Sequence, residues 1–297
     1  MSSSVIETHL LTKCYGKFEA VRRVSIEVPK GSICGFLGRN GSGKSSTLKM
    51  LMGAIHPTSG TGQVCGYAID DPEQSVEIRK RAAFVSEDKR LYEYMTVGQI
   101  IGFTRRIFPG WREDLQTVFL QRFPLPYDRK IKKLSKGMRT QLALLLGIAR
   151  GPELLVLDEP TEGLDPVAIE GFLQFLQKLS AEGITVFFSS HQIAEVEQVS
   201  THLFIIDHGQ LLLKSSVHQL KQVWQHIRAE LPEALTTDHL KMNSVQSIRK
   251  DGRVSSVFVT GDAAPVVDHL QRLGAISIDI APASIKDIFL QTIEVRK

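Results

Sequence analysis

The chain has 297 residues, 42% hydrophobic and 23% charged, a balance that can bury a core and excludes a disordered or collagen-like polypeptide. Thirty-six Lys and Arg against 32 Asp and Glu leave a net charge of +4 spread along the sequence, with no basic arm of the kind that binds nucleic acid, so no nucleic-acid partner is expected. The longest apolar run, Leu142 to Ala149, is eight residues, far short of the roughly 20 that a membrane-spanning helix needs.

The start, Met1-Ser2-Ser3-Ser4, lacks the charged-then-apolar pattern of a secretory signal. Three scattered cysteines, Cys14, Cys34 and Cys65, fit neither a disulfide framework nor a metal site. They read as small buried apolar residues in a reduced compartment, and the chain reads as cytosolic. Residues 5 to 37 alternate apolar and polar positions around the turn signals Lys13-Cys14-Tyr15-Gly16-Lys17 and Pro29-Lys30-Gly31-Ser32, which predicts antiparallel strands. Ser32 to Leu37 is a buried-strand run. From Ser45 to Met52 the period becomes helical, and Gly53 and Pro57 stop it. From about Met95 to Arg150 the pattern is mostly helical, broken at Phe108-Pro109-Gly110 and Phe123-Pro124-Leu125-Pro126. Leu154 to Leu157 and Ile184 to Phe188 are short continuous apolar runs that each follow a helical segment, as the buried strands of a parallel sheet do.

After Gly209-Gln210 the character shifts, and residues 215–297 are expected to form a small accessory α/β domain. Strands are predicted at Val245 to Ile248, Val254 to Val259 and Ile276 to Ile280, and helices at Ala263 to Leu273 and Ser284 to Ile293. Ten basic against nine acidic residues in this segment argue against a nucleic-acid tail. Its histidines, His218, His226, His239 and His269, lack metal-ligand spacing and read as surface or helix residues. No motif gives residues 215–283 a function.

Gly38-Arg39-Asn40-Gly41-Ser42-Gly43-Lys44-Ser45, followed by Ser46, matches G-x-x-x-x-G-K-[ST] between a buried strand and a helix. The glycines let successive backbone N–H groups wrap phosphate oxygens, and the helix N-terminus adds its positive end. Lys44 supplies a point charge for the β- and γ-phosphates, and the Ser45 hydroxyl suits Mg²⁺. The chain is therefore expected to bind a nucleoside triphosphate. Asp158 and Glu159 close the next buried strand, where strand ends face the ligand crevice of an α/β sheet. Asp158 is suited to hold Mg²⁺ through water and Glu159 to polarise the attacking water as general base. Taken alone, two adjacent acids at a strand end are as readily a solvated turn.

Around them the motifs accumulate. Leu134-Ser135-Lys136-Gly137-Met138 lies 23 residues before Asp158, Asp158 to Pro166 reads D-E-P-T-E-G-L-D-P, and Phe188-Ser189-Ser190-His191 is a strand ending in histidine. In order and spacing these resemble the ATP-binding-cassette (ABC) transporter ATPases over residues 5 to about 214. The resemblance implies a P-loop NTPase of the α/β class, with a RecA-like parallel sheet, an antiparallel β subdomain and a helical subdomain at about 95–150. The ATPase domain would span 1–214 and the accessory domain 215–297. It also implies roles: Tyr15 stacks on adenine, Gly38 to Ser46 hold the phosphates, Asp158 and Ser45 organise Mg²⁺, Glu159 activates water and His191 contacts the γ-phosphate. Ser135 and Gly137, within the signature Leu134 to Met138, would close on nucleotide held by a second chain, identical or paralogous, and Asp165 would lie at that interface. Taken alone, Tyr15 would be a packing residue and His191 a structural one.

Two positions depart from the family pattern. Glu87 stands where the family usually has Gln, in Val85-Ser86-Glu87-Asp88. It keeps an oxygen for Mg²⁺ and is expected to alter coupling rather than abolish hydrolysis, with Asp88 able to share the role. The signature carries Lys136 where Gly is commoner, adding a cation. With no membrane span, transport would need separate membrane-spanning permease subunits. Glu87 to Trp111, with Leu91, Tyr92, Tyr94, Met95 and Trp111, is the expected docking surface, Phe103 and Phe108 being read as lobe packing. Arg129 to Lys133 reads as a solvated face. Leu-Ser-Lys-Gly-Met, Glu87, Phe108 to Trp111 and Ser284 to Leu290 resemble bacterial export-type systems, placing the chain on the inner face of the cell membrane. The rival is a soluble ABC ATPase acting on a ribosome or nucleic-acid machine, which the single cassette and the 91-residue interval from Lys44 to Ser135, without heptads, fit poorly.

Overall fold

The computed structural model describes residues 4–233 and 235–294. The chain divides after Lys214 into two units. The first begins with β1 (Ser4–Tyr15) and β2 (Phe18–Val24), an antiparallel hairpin whose turn, Gly16-Lys17, puts Gly16 at φ +59°, a conformation that costs glycine little. β3 (Glu27–Pro29) pairs with the start of β1. Next come β4 (Ile33–Leu37), α1 (Lys44–Leu51), β5 (Ser59–Val64), β6 (Tyr67–Ala68), α2 (Pro72–Arg81) and β7 (Ala82–Val85). Three helices follow, α3 (Val97–Ile107), α4 (Glu113–Arg122) and α5 (Lys136–Ile148), and they break at the two Pro-containing segments expected from the sequence. β8 (Leu154–Asp158), α6 (Pro166–Ala181), β9 (Thr185–Ser190), α7 (Ile193–Val199), β10 (His202–Asp207) and β11 (Gln210–Ser216) complete the run.

Two sheets organise this unit. One is antiparallel, in the order β2-β1-β5-β6 with β3 also on β1; the other runs β11-β10-β4-β9-β8-β7, parallel from β10 to β7. Every residue of β4, β8 and β9 is buried, as expected for parallel strands covered on both faces. Phe187 packs between Phe36, stacked at 5.4 Å, and Phe204, edge-on at 5.9 Å. Gly35 brings α7 onto this sheet: a Cβ there would lie 2.5 Å from Val196 Cγ1. Parallel β4, β8 and β9 end side by side at Leu37, Asp158 and Ser190, so the residues that follow all emerge at one edge of the sheet, where α/β folds bind ligands.

Local chemistry fixes the helix starts. Asp71 caps α2, with Pro72 at its first position. Thr96 and Gln99 form a capping box on α3, Ser135 caps α5 through Met138 N–H, and Asp165 caps α6 through Ala168 N–H. α1, entered through Gly43 at φ +104°, has neither a side-chain cap nor an acid in its first turn. Among the described residues no helix is long and apolar enough to cross a membrane. Cys34 is buried and Cys14 and Cys65 half-buried. Burial pushes the Cys34 thiol up to about 12.

The second unit contains α8 (Val217–Val223), β12 (Trp224–Glu230), β13 (Val245–Asp251), β14 (Val254–Thr260), α9 (Ala264–Arg272), β15 (Ser277–Pro282) and α10 (Ile285–Glu294). Its antiparallel sheet runs β13-β14-β12-β15, and Ile227, Ala229, Val257 and Val259 pack with Val266 and Leu270 of α9. The sequence reading found three of these strands and missed β12, one of the two interior ones. β12, Trp224-Gln225-His226-Ile227-Arg228-Ala229-Glu230, has too few apolar residues to show a period of two on its own, and its neighbours supply the burial. His226 corrects the reading as a surface or helix residue: it lies on this strand, half-buried, its ring stacked on Phe258 at 4.4 Å.

Candidate nucleotide site

The P-loop is held from beneath by backbone. A Cβ on Gly38 would lie 2.4 Å from Ile206 O and 2.5 Å from Ser42 Oγ, and one on Gly43 would lie 2.4 Å from Ala20 O. The loop therefore fits only with glycine at both positions. Gly209 N–H donates to Ser42 O at 2.9 Å, and Arg22 N–H to Gly209 O at 2.7 Å, which ties the loop to the β10–β11 turn and to β2. Lys44, 6% exposed, donates to Gly38 O at 2.8 Å and Arg39 O at 3.3 Å. Its Nζ also lies 3.3 Å from Glu159 Oε1. That oxygen has no aligned hydrogen bond, so the contact with Lys44 is one of charge.

The two acids have different environments. Asp158, 1% exposed, accepts the Ser189 hydroxyl at 2.6 Å, and the same hydroxyl accepts Glu159 N–H at 3.0 Å. Ser189 thus holds the strand end on which Glu159 turns out, at φ +46°. This is a left-handed conformation that non-glycine residues rarely adopt, and such strain persists where surroundings over-determine it. Glu159 Oε2 lies 2.9 Å from His191 Nδ1. A carboxylate only accepts, so Nδ1 carries the hydrogen and Nε2 is left as the ring's other contact. Beneath His191, Ser190 donates to buried Glu195 Oε2 at 3.0 Å and accepts Gln192 N–H at 2.9 Å. Burial pushes the Glu195 carboxyl up, against hydrogen bonds from Thr161 and Ser190.

A cavity of about 750 Å³ gathers Tyr15, Asn40 to Ser46, Glu87, Glu159 and His191 in its lining, within the usual range for small-molecule sites. Tyr15 is half exposed at its mouth, with Lys13 Nζ 5.3 Å from the ring centre. The lining excludes other expected residues. Gly38 and Asp158 are buried behind the wall, and Arg39 contributes its backbone carbonyl to Lys44 while its residue is exposed. None of Leu134 to Met138 lines the cavity, nor does Asp165, whose carboxylate caps α6. Asp88 does not share the Glu87 position as expected: its exposed side chain pairs with Arg90 at 3.4 Å. Glu87 sits on the rim with its carboxyl raised, first by desolvation and then by Asp158, Glu162 and Glu159.

The sequence reading missed several residues. Phe18 lines the cavity, 62% exposed, directly opposite Tyr15 in the hairpin; the Gly16-Lys17 turn was the signal that pairs them. Glu162 lines it too. Lys89 donates to Glu87 O at 3.2 Å and Glu159 O at 3.4 Å, and no sequence pattern announced it. Mg²⁺ has suitable oxygen donors in Ser45, Asp158 and Glu87. Among the described residues no group of three His, Cys, Asp or Glu side chains could hold a metal. A donor set of that kind suits Mg²⁺, which is commonly held by one or two carboxylates together with substrate phosphates.

Between β7 and the helical lobe lies a second cavity, of about 200 Å³, lined by residues including Val85, Leu91, Phe108, Leu146 and Arg150. Phe108 packs under the Arg150 guanidinium at 3.7 Å. Phe103 was expected inside the lobe and is instead 41% exposed, edge-on to Tyr92 at 6.0 Å; Tyr94 is 68% exposed. Phe103 lies on α3, on the outward side of a short amphipathic helix whose buried residues are Val97, Ile100 and Ile101.

The family described as "ABC transporter" matches residues 21–162. The bacitracin transport ATP-binding protein BcrA of Bacillus licheniformis is 36% identical over 223 residues, covering 74% of this chain and 72% of that protein. The Nod factor export ATP-binding protein I of Cupriavidus metallidurans is 28% identical over 298 residues, 97% of each. A solved ATP-binding subunit of an ABC transporter superimposes with a TM-score of 0.67 at 25% identity, over 74% of this chain and 92% of that one. The fold is also that of a dimeric ATP-binding cassette described in a post-hydrolysis state with ADP and Pi, with a TM-score of 0.65 at 22% identity over 71% of this chain.

Proposed function

This chain belongs to the family of ABC transporter ATP-binding proteins, and from that premise we propose that two such chains, identical or paralogous, close head to tail around two Mg·ATP and drive separate membrane-spanning subunits in export. As a member of the family it binds and hydrolyses ATP. One observation carries the proposal of two chains. The cavity collects the P-loop, Glu159 and His191 but no residue of Leu134 to Met138, so a nucleotide seated there meets a signature only if another chain brings it. The Ser135 hydroxyl oxygen accepts Met138 N–H, which leaves its O–H to donate to a phosphate at the N-terminal end of α5.

In this reading Lys44, the P-loop N–H groups and α1 hold the phosphates, and Tyr15 with Phe18 receives the base. Glu159 takes the proton of the water that attacks the γ-phosphate. His191, oriented through Nδ1 by Glu159, reaches the γ-phosphate oxygens through Nε2, which donates to them when it too carries a hydrogen. Mg²⁺, held by Ser45, Asp158 and Glu87, would supply charge neutralisation at the phosphate oxygens. Hydrolysis removes the γ-phosphates that bridge the two chains and reopens them. The exposed rings of Tyr92, Tyr94 and Phe103, beside the cavity lined by Leu91 and Phe108, support docking of a membrane partner over Glu87 to Trp111. The relative named for Nod factor export supports the export direction, with the chain peripheral on the inner face of the cell membrane.

The test is a pull-down of the tagged Glu159→Gln chain from its native membranes in mild detergent with Mg·ATP, followed by mass spectrometry. A polytopic membrane protein is the expected prey. Ribosomal or DNA-associated proteins instead would refute transport while leaving the ATPase intact.

A further inference from the structure

Lys136 and Glu162 join the signature helix to the wall of the nucleotide cavity. Lys136 opens α5 immediately after the signature serine, and Glu162 lies in the wall of the chain's own cavity. Their side chains meet at 2.5 Å, Nζ to Oε1. The backbones are locked together beneath that contact. Thr140 Oγ1 donates to Glu162 O at 3.0 Å, and a Cβ on Gly137 would lie 2.7 Å from Gly163 O. Glu162 N–H donates to Glu159 O at 3.3 Å, the carbonyl that also receives Lys89 Nζ at 3.4 Å. The segment is therefore rigid from the catalytic carboxylate to the signature helix, while the two charged ends, 66% and 39% exposed, remain free to change partners.

Building on the head-to-tail reading above, we propose that Lys136 and Glu162 form a charge latch between the two nucleotide sites. Lys136 leaves Glu162 for the γ-phosphate held by the second chain, and the released carboxylate reports that closure to its own cavity. Lys136 follows a capped helix start with no acid in the first turn, so once released from Glu162 its charge adds to the positive helix end in attracting an anion. A γ-phosphate carries more charge than the single carboxylate it would displace. Once Lys136 departs, Lys89 and His191 are the neighbours that still act on Glu162, and His191 is the ring that Glu159 orients. Engagement of one nucleotide thus alters the surroundings of the histidine serving the other.

The experiment measures ATP-driven dimerisation by light scattering, with Mg²⁺, in the full-length Glu159→Gln chain and in the same chain carrying latch substitutions. Glu162→Gln frees Lys136 and should lower the ATP concentration at the midpoint by about three- to fivefold, the upper range for an exposed ion pair. Lys136→Met should raise it by at least as much. The charge swap, Lys136→Glu with Glu162→Lys, should keep the thermal midpoint of the parent but lose dimerisation, because a carboxylate then meets the phosphate. A merely structural ion pair gives the opposite pattern: both single substitutions move the midpoint the same way and the swap restores it, which would overturn the latch. If the parent Glu159→Gln chain stays monomeric with Mg·ATP, the head-to-tail reading itself fails and the latch falls with it.

Discussion

Replacing Glu159 with Gln should separate catalysis from binding, and the geometry sets the size of each expected effect. The amide is nearly isosteric and keeps Cβ, so the strain at φ +46° is unchanged. Its oxygen can face Lys44, and its NH₂ can donate to His191 Nδ1 in the other tautomer. The lost quantity is the charge 3.3 Å from Lys44 Nζ, a gross attraction of about 5 kcal/mol at an effective dielectric constant near 20, largely offset by desolvating two ions. Lys44 keeps Gly38 O and Arg39 O as acceptors. The net loss of folding stability should therefore be about 1–2 kcal/mol, below the ~3–5 kcal/mol of a buried ion left wholly unpaired. Turnover should fall by about 10²–10⁴, or about 2.7–5.4 kcal/mol of barrier. Urea unfolding gives the first quantity, phosphate release in a single turnover the second, and titration calorimetry checks that ATP affinity holds. A turnover within about tenfold of the parent chain, or an affinity that falls in step with the rate, would refute Glu159 as the general base.

Three further outcomes follow from the same geometry. His191→Ala removes one hydrogen bond to a charged group and should slow hydrolysis by about ten- to a hundredfold, with equilibrium ATP binding retained by calorimetry. Gly38→Ala forces a Cβ to within 2.4 Å of Ile206 O; about 1–3 kcal/mol of stability should be lost together with at least about tenfold in ATP affinity, and unaltered affinity would contradict the close-packed cradle. Glu87, whose carboxyl is raised by desolvation and by Asp158, Glu162 and Glu159, destabilises the folded chain only while it is ionised. That cost is present above its raised folded value and vanishes as acidification protonates it. Glu87→Gln should therefore shift the urea midpoint upward at neutral pH, by no more than about 0.5 kcal/mol for so exposed a group, and the gain should disappear at pH 4. A gain that persists at pH 4 would exclude charge as its cause.

The sequence by itself determined the residues whose chemistry is local. The strand, glycine loop and helix around Lys44, the acids ending β8 and the histidine after β9 are written as contiguous segments, because each is a short stretch of backbone with fixed geometry. The P-loop cradle and the general fold class were legible for that reason. Only the tertiary structure decided what surrounds them. That Ser189 grips Asp158, that Lys89 reaches the Glu159 carbonyl, and that Phe18 faces Tyr15 depend on strand register and on segments as much as 70 residues apart. Phe103 was misread for a related reason: its apolar side chain argues for burial, but helix rotation turned it outward. β12 was missed because its burial comes from β14 and β15 on either side rather than from its own pattern. Lys136 and Glu162, 26 residues apart in sequence, became a pair only when α5 packed against the loop before α6. Side-chain identity announces what a residue can do, and the packing of distant strands and helices decides which partner it does it with.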